Sequence, residues 1–199
     1  MRIVINPGHS TRDPGAVGKV TTEAEITRAV TIVLCTKRSA IVAYEPKRQP
    51  PIPGGLLILL LTLRANKPAV TITLHVDSAT SKRNKAGVYF RADDPDRDRW
   101  TGSRTLAESI VEQMKSHLEP RAEVFAAPYS RERRDGSTYP FTPGMLKRTA
   151  RSAIVLVELG NIRHRPTEDE MVTLDWRGRA ASAVDQGLRN WLLTRAPRE

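Results

Sequence analysis

Three short runs of β-branched and apolar residues, set far apart in the chain, restrict the fold more than any other feature. They are Arg2–Asn6, Ala69–His75 and Ala153–Leu159, and each ends in turn residues or a polar residue. Such runs read as buried strands. Weaker strand patterns occur at Ala40–Tyr44, Gly87–Arg91 and Ala122–Phe125. Helical periodicity fills the intervals: Glu23 to about Lys37, Leu56–Asn66, Thr101–Leu118 and Thr173–Leu193. Strands alternating with helices of this length predict an α/β domain on a mostly parallel or mixed sheet of about six strands. At 199 residues, 39% of them hydrophobic, the chain suits one domain with one sizeable core, taken as residues 1–199. The Pro-rich stretch Glu45–Gly55 reads as a connecting loop within it.

Composition excludes some classes. The longest apolar stretch, Leu56–Leu61 extended by Leu63, is far short of the ~20 residues that span a bilayer. The single Cys35 cannot form an internal disulfide, and its apolar neighbours make it a small core residue. A net charge of +10, with clusters at Lys82-Arg83-Asn84-Lys85, Arg131-Glu132-Arg133-Arg134 and Arg163-His164-Arg165, suits polyanions (nucleic acid, lipid headgroups or anionic wall polymers), with a plain solvated Arg-rich surface as the equal alternative. Aromatic residues are 5% and do not interleave with these clusters, which argues against nucleic acid.

Unusual polar residues fall at the ends of the three best strands. His9 follows the first, His75 closes the second, and Glu158 lies inside the third. In α/β sheets ligands bind outside the carboxyl ends of the strands, so the three converge on one rim if those strands run parallel. A carboxylate in an apolar strand must pair, bind metal or take up a proton. Glu158 therefore reads as a catalytic acid or base, with a buried arginine pair as the alternative. His9 and His75 form a candidate metal pair, and catalytic zinc generally takes a third protein ligand. Thr21-Thr22-Glu23-Ala24-Glu25 supplies two carboxylates. Thr22 and Glu25 have capping-box spacing, which turns Glu25 to the backbone and leaves Glu23 for the rim, with Glu25 as the other choice. His117, near a helix end, reads as structural. His164 sits in an Arg-rich loop close to the site.

These motifs, in this order, resemble the type-3 family of zinc-dependent N-acetylmuramoyl-L-alanine amidases. The opening is similar in Ile3-Val4-Ile5-Asn6-Pro7-Gly8-His9 and Asp13-Pro14-Gly15-Ala16-Val17-Gly18. The helix beginning Glu23-Ala24-Glu25-Ile26, the strand Thr73-Leu74-His75-Val76-Asp77 and the closing Val155-Leu156-Val157-Glu158-Leu159-Gly160-Asn161 look like the later elements. The resemblance implies a twisted sheet flanked by helices, one zinc on His9, Glu23 and His75, and Glu158 as the catalytic carboxylate. It implies hydrolysis of the bond between N-acetylmuramic acid and L-alanine in peptidoglycan, by a chain read as a monomer. Asn161 stands where the family usually has an aromatic residue, Asp77 where asparagine is common, and residues 34–63 match poorly. Competing expectations are a zinc peptidase acting on the peptide stem and a non-catalytic wall-binding module of the same fold. No secretory apolar segment precedes Arg2, which predicts either a processed secreted enzyme or a phage-type lysin that waits in the cytoplasm.

Overall fold

Residues that are apolar on alternate positions, and β-branched at most of them, build the centre of the molecule. In the computed structural model, β1 (Ile3–Pro7), β3 (Val70–Asp77) and β8 (Ala153–Asn161) lie side by side. The structure describes residues 3–10, 12–37, 41–43, 70–79, 83–92, 102–119, 121–127, 129–132, 138–141 and 153–195. The remaining elements are β2 (Ile41–Ala43), β4 (Gly87–Arg91), β5 (Glu123–Ala127), β6 (Tyr129–Glu132) and β7 (Thr138–Phe141). The helices are α1 (Glu23–Lys37), α2 (Ser103–His117), α3 (Arg165–Met171) and α4 (Leu174–Arg195).

The main sheet has six strands in the order β2-β1-β3-β8-β4-β5, and β6 and β7 form a separate antiparallel pair. Strands β2, β1, β3 and β8 run in one direction. Strand β4 pairs antiparallel to β8 and parallel to β5, so the last two strands run the opposite way. The sheet is therefore mixed, and the parallel group contains all three strands on which the site depends. Their carboxyl ends share one rim.

Alternation divides the residues between two faces. Ile5, Ile72 and Val155 are in register, as are Pro7, Leu74 and Val157. The apolar members of these rows join Ile26, Val30 and Leu34 of α1, Ile110 and Met114 of α2, and Val184 and Leu188 of α4 in one core. Each fully buried leucine or isoleucine there stabilises the fold by about 1.5–3 kcal/mol. Helices α2 and α4 approach closely because Gly187 has no side chain. A Cβ there would lie 2.6 Å from the Cα of Ile110, and the Ser109 hydroxyl donates to the Gly187 carbonyl at 2.7 Å. The opposite face carries Thr71, Thr73, His75 and Asp77 of β3 beside Ile154, Leu156 and Glu158 of β8.

Sequence expectations for β1, β3, β4, β8, α1, α2 and α4 agree with the structure to within two residues at most ends. Strand β3 continues two residues past His75, and β8 two past Leu159. The expected helix Leu56–Asn66 and the loop Glu45–Gly55 lie outside the described residues. The Arg-rich stretch read as a loop around His164 opens helix α3, with Pro166 in its first turn, where the missing N–H of proline does no harm. Cys35 is half-buried and packs against the core, and burial pushes its thiol pKa up. No helix among the described residues is long and apolar enough to cross a membrane.

Candidate metal centre

Helix α1 starts where it does because of a reciprocal cap. The Thr22 N–H donates to Glu25 Oε2 at 2.9 Å, the Glu25 N–H donates to the Thr22 hydroxyl at 3.3 Å, and the Thr21 hydroxyl also donates to Glu25 Oε2 at 3.0 Å. These bonds hold Glu25 on the helix end and lower its pKa, the Thr22 N–H contributing most. Glu23, in the same first turn, points elsewhere. It is buried, with 4% of its surface exposed, and it meets both histidines. Glu23 Oε1 lies 2.8 Å from His75 Nδ1, and Oε2 lies 3.3 Å from His9 Nε2.

Two backbone donors fix that carboxylate. The Val76 N–H donates to Oε1 at 3.1 Å and the Ala16 N–H to Oε2 at 2.9 Å. Burial raises the Glu23 pKa, but the hydrogen bond and charge of His75, the Ala16 N–H and the charge of His9 outweigh it. The net shift is downward. Glu23 thus stays ionised in a site that burial alone would neutralise.

His9 reaches the centre by an uncommon backbone conformation. The Gly8 N–H donates to the Leu74 carbonyl at 2.7 Å, and His9 then adopts φ 63°, which is strained for a residue with a Cβ. Its Nδ1 lies 3.0 Å from Asp13 Oδ2. A ring that donates through Nδ1 to a carboxylate presents the Nε2 lone pair outward, the arrangement that supports metal-bound histidines. Burial raises the Asp13 pKa, but the His9 bond and charge and the Gly15 N–H hold it below its ordinary value. Gly15 has φ 67°, and a Cβ there would fall 2.5 Å from Glu23 Oε2 and 2.6 Å from the His9 ring. Only glycine leaves room for both.

One ligand atom from each of His9, Glu23 and His75 lies within 4.8 Å of the others, and the two rings stand edge to face with centroids 5.3 Å apart. Two imidazoles and one carboxylate, with the carboxylate deprotonated and one histidine held by a second carboxylate, are a donor set that fits zinc and leaves a position open for water.

Glu158 lies directly across from His75 in the β3–β8 register, so both side chains project from one face of adjacent strands. The residue is partly exposed, but its Oε2 is sealed from solvent and has no hydrogen-bond partner among the described residues. The alternative of a buried arginine pair finds no support there. Burial, then the charges of Glu23 and Asp77, push its pKa well above the ordinary value, against an opposing pull from Lys85. A carboxylate oxygen with no hydrogen-bond partner among the described residues, beside a group able to hold a metal, is an arrangement suited to moving protons.

Of the other histidines, His117 Nε2 contacts Gln186 Oε1 at 3.2 Å, away from the site. His164 caps the start of α3 and its Nδ1 lies 2.7 Å from the Thr167 hydroxyl. Sequence reasoning assigned no role to Asp13, whose Asp-Pro-Gly setting signals only a turn. Its position four residues after His9 was the available clue. The backbone donors Ala16 and Val76 carry no sequence signal at all.

Fold and geometry together set a His–Glu–His group able to hold a metal ion at the carboxyl rim of a mixed α/β sheet. A family model described as N-acetylmuramoyl-L-alanine amidase matches residues 58–190, and the chain belongs to that family. The solved CwlD amidase from Clostridioides difficile, in complex with the GerS lipoprotein, superposes with a TM-score of 0.77 at 16% identity, covering 97% of this chain and 98% of that one. The amidase AmiC2 of Nostoc punctiforme gives 0.71 at 17% identity, with 97% of each chain covered. These likenesses show a shared fold. In sequence, the chain is 24% identical over 196 residues to the uncharacterised protein YqiI of Bacillus subtilis, covering 95% of this chain and 84% of that protein.

Proposed function

We propose that this chain, as a monomeric single catalytic domain, hydrolyses the amide between N-acetylmuramic acid and L-alanine in peptidoglycan, using one zinc ion. The observation that carries the reading is the pairing of His75 with Glu158 across β3 and β8. It sets a carboxylate oxygen with no hydrogen-bond partner among the described residues beside three convergent donor atoms. His9, Glu23 and His75 would hold the metal. When bound, zinc supplies a Lewis acid that polarises the amide carbonyl and brings the pKa of a water toward neutrality.

The protein's own residues do the rest. Glu158 accepts a proton from the attacking water at a carboxylate oxygen as the new C–O bond forms. It returns that proton to the alanine nitrogen as the C–N bond breaks, leaving a muramic acid carboxyl and a free L-alanine amino terminus. Its raised pKa suits both halves of that task. Asp13 keeps His9 in one tautomer, and the Ala16 and Val76 N–H groups keep Glu23 in one rotamer. The donor set therefore needs little rearrangement to bind its ion. A non-catalytic module would have no use for the orphaned Glu158 oxygen.

The substrate lies in the bacterial wall, so the enzyme acts there, either as a processed secreted protein or as a phage-type lysin. In both settings the +10 charge favours retention on anionic wall polymers or outer lipid. The test uses purified sacculi and chromatography of the released products beside elemental analysis. Wild type carries about one zinc and exposes L-alanine amino termini. Glu158→Gln keeps the zinc and loses at least about a hundredfold in rate, the lower end for general acid–base catalysis. Cleavage within the peptide stem would replace the amidase reading with a stem peptidase. Full activity in Glu158→Gln would remove the carboxylate from the mechanism.

A further inference from the structure

Asn161, two residues beyond Leu159 on β8, is completely buried, and its side chain ties two loops together. Its Nδ2 donates to the Ala79 carbonyl at 2.9 Å and the Arg83 carbonyl at 3.3 Å, while its Oδ1 accepts the Arg163 N–H at 2.9 Å. Asn84 closes the network. Its Oδ1 accepts the Asn161 N–H at 2.8 Å and its Nδ2 donates to Glu119 Oε2 at 2.8 Å. An aromatic ring at position 161 could make none of these side-chain bonds. Through one amide, the backbones of Arg83 and Arg163, which belong to two separate basic clusters of the sequence, are brought to the same stretch of rim.

Several cations of the described surface are held in ion pairs. Arg104 pairs with Glu108, Arg179 with Asp175 and Glu170, and Arg189 with Asp185. Within the rim segment itself, Arg165 pairs with Glu168 and Asp169. Arg163 and Lys85 are exposed and have no carboxylate partner among the described residues. Lys85 rests over the Phe125 ring, 5.3 Å from its centroid, and its charge is felt at Glu158. Lys85 stands two residues before Gly87, which pairs with Glu158 across β4 and β8, so this rim borders the candidate site.

We propose that Arg163 and Lys85 form a carboxylate-reading rim, its backbone held in place by Asn161, that binds the peptide stem of the substrate. This rests on the amidase reading above and adds a preference to it: stems with free carboxylates over stems whose carboxylates are amidated. Two cations whose backbones are anchored beside the end of β8 can seat a stem carboxylate while the lactyl amide lies against Glu158.

The test compares two soluble muramoyl peptides, identical except that the stem carboxylates of one are free and those of the other amidated. Turnover is followed by product chromatography and binding by titration calorimetry. Wild type prefers the free-acid peptide, and Arg163→Gln lowers kcat/KM for it by about 3–10-fold, mainly through KM, with the amidated peptide unaffected. Arg163→Glu lowers it further, and added salt narrows the preference. Equal effects of Arg163→Gln on both peptides, or none on either, would overturn the rim. Failure of wild type to cleave either peptide would count against the amidase reading alone. Calorimetry would then still decide the rim, by whether Arg163→Gln weakens binding of the free-acid peptide selectively.

Discussion

Glu23 joins the candidate metal site to the local fold, and Glu23→Gln separates its two contributions. The carboxylate accepts from two backbone donors, one on each oxygen: Val76 N–H on Oε1 and Ala16 N–H on Oε2. A glutamine has one acceptor oxygen and one NH2 group, so one of those N–H groups must face another donor. An orphaned buried N–H costs about 1–3 kcal/mol, and for a domain of this size that is roughly 2–12 °C in Tm at about 2–4 °C per kcal/mol. The charge adds a pH signature. Burial raises the Glu23 pKa, but the histidine and backbone partners hold it below the ordinary 4.5. Its ionic contribution to stability is therefore present above about 4.5 and disappears as pH falls through the lower folded-state value. Wild type and Glu23→Gln would be melted with chelator present from pH 3 to pH 8. In parallel, zinc affinity would be measured by competition with a chromophoric chelator. The expected result is a Tm gap at neutral pH that narrows under acid, with zinc affinity falling at least about tenfold. Superimposable melting curves together with unchanged zinc affinity would refute both the anchoring and the ligand role.

Two further outcomes follow from the same geometry. Glu158→Gln should stabilise the chelator-treated protein progressively as pH rises. Burial lifts the folded-state pKa of Glu158 well above 4.5, so the stability due to its protonated form is complete below that value and is lost as pH climbs through the folded one, by up to about 1.4 kcal/mol per pH unit. Denaturant melts at pH 4 and pH 8 check this, and a gap that shrinks with pH would show the sign to be wrong. Gly15→Ala places a methyl 2.5 Å from Glu23 Oε2 at a backbone φ of 67°. It should cost zinc affinity out of proportion to its effect on the chelated protein's Tm, and normal zinc uptake would show that the loop yields.

The donor residues were legible because each breaks the pattern around it. A glutamate inside Val155–Leu159 and a histidine closing an apolar strand conflict with local hydrophobicity, and such conflicts gather at functional sites. The choice between Glu23 and Glu25 was legible too, because the Thr22–Glu25 cap uses up one of them. Strand order was not. Nothing in residues 153–161 says that this last strand enters between β3 and β4, or that β4 runs against it, since pairing partners depend on contacts across about 80 residues of chain. Helix α3 was hidden by its charge. Arg165, Glu168 and Asp169 look like a solvated loop, yet Glu168 is buried and accepts the Val20 N–H at 2.8 Å. Asn161 registered only as a departure from a family pattern, because its value lies in carbonyl and amide groups that no sequence displays.

The position of β8 also orders events in time. The ribosome makes β1, β3, β4 and β5 first, but the sheet's middle seat is left for a strand that emerges after residue 152. Until it arrives, β3 and β4 have no common neighbour and His75 has no Glu158 opposite it. Closing such a distant contact is slow compared with forming local helices. Glu158 is therefore the final piece to enter the site, so a nascent or truncated chain could bring His9, Glu23 and His75 together but would still lack the carboxylate opposite His75.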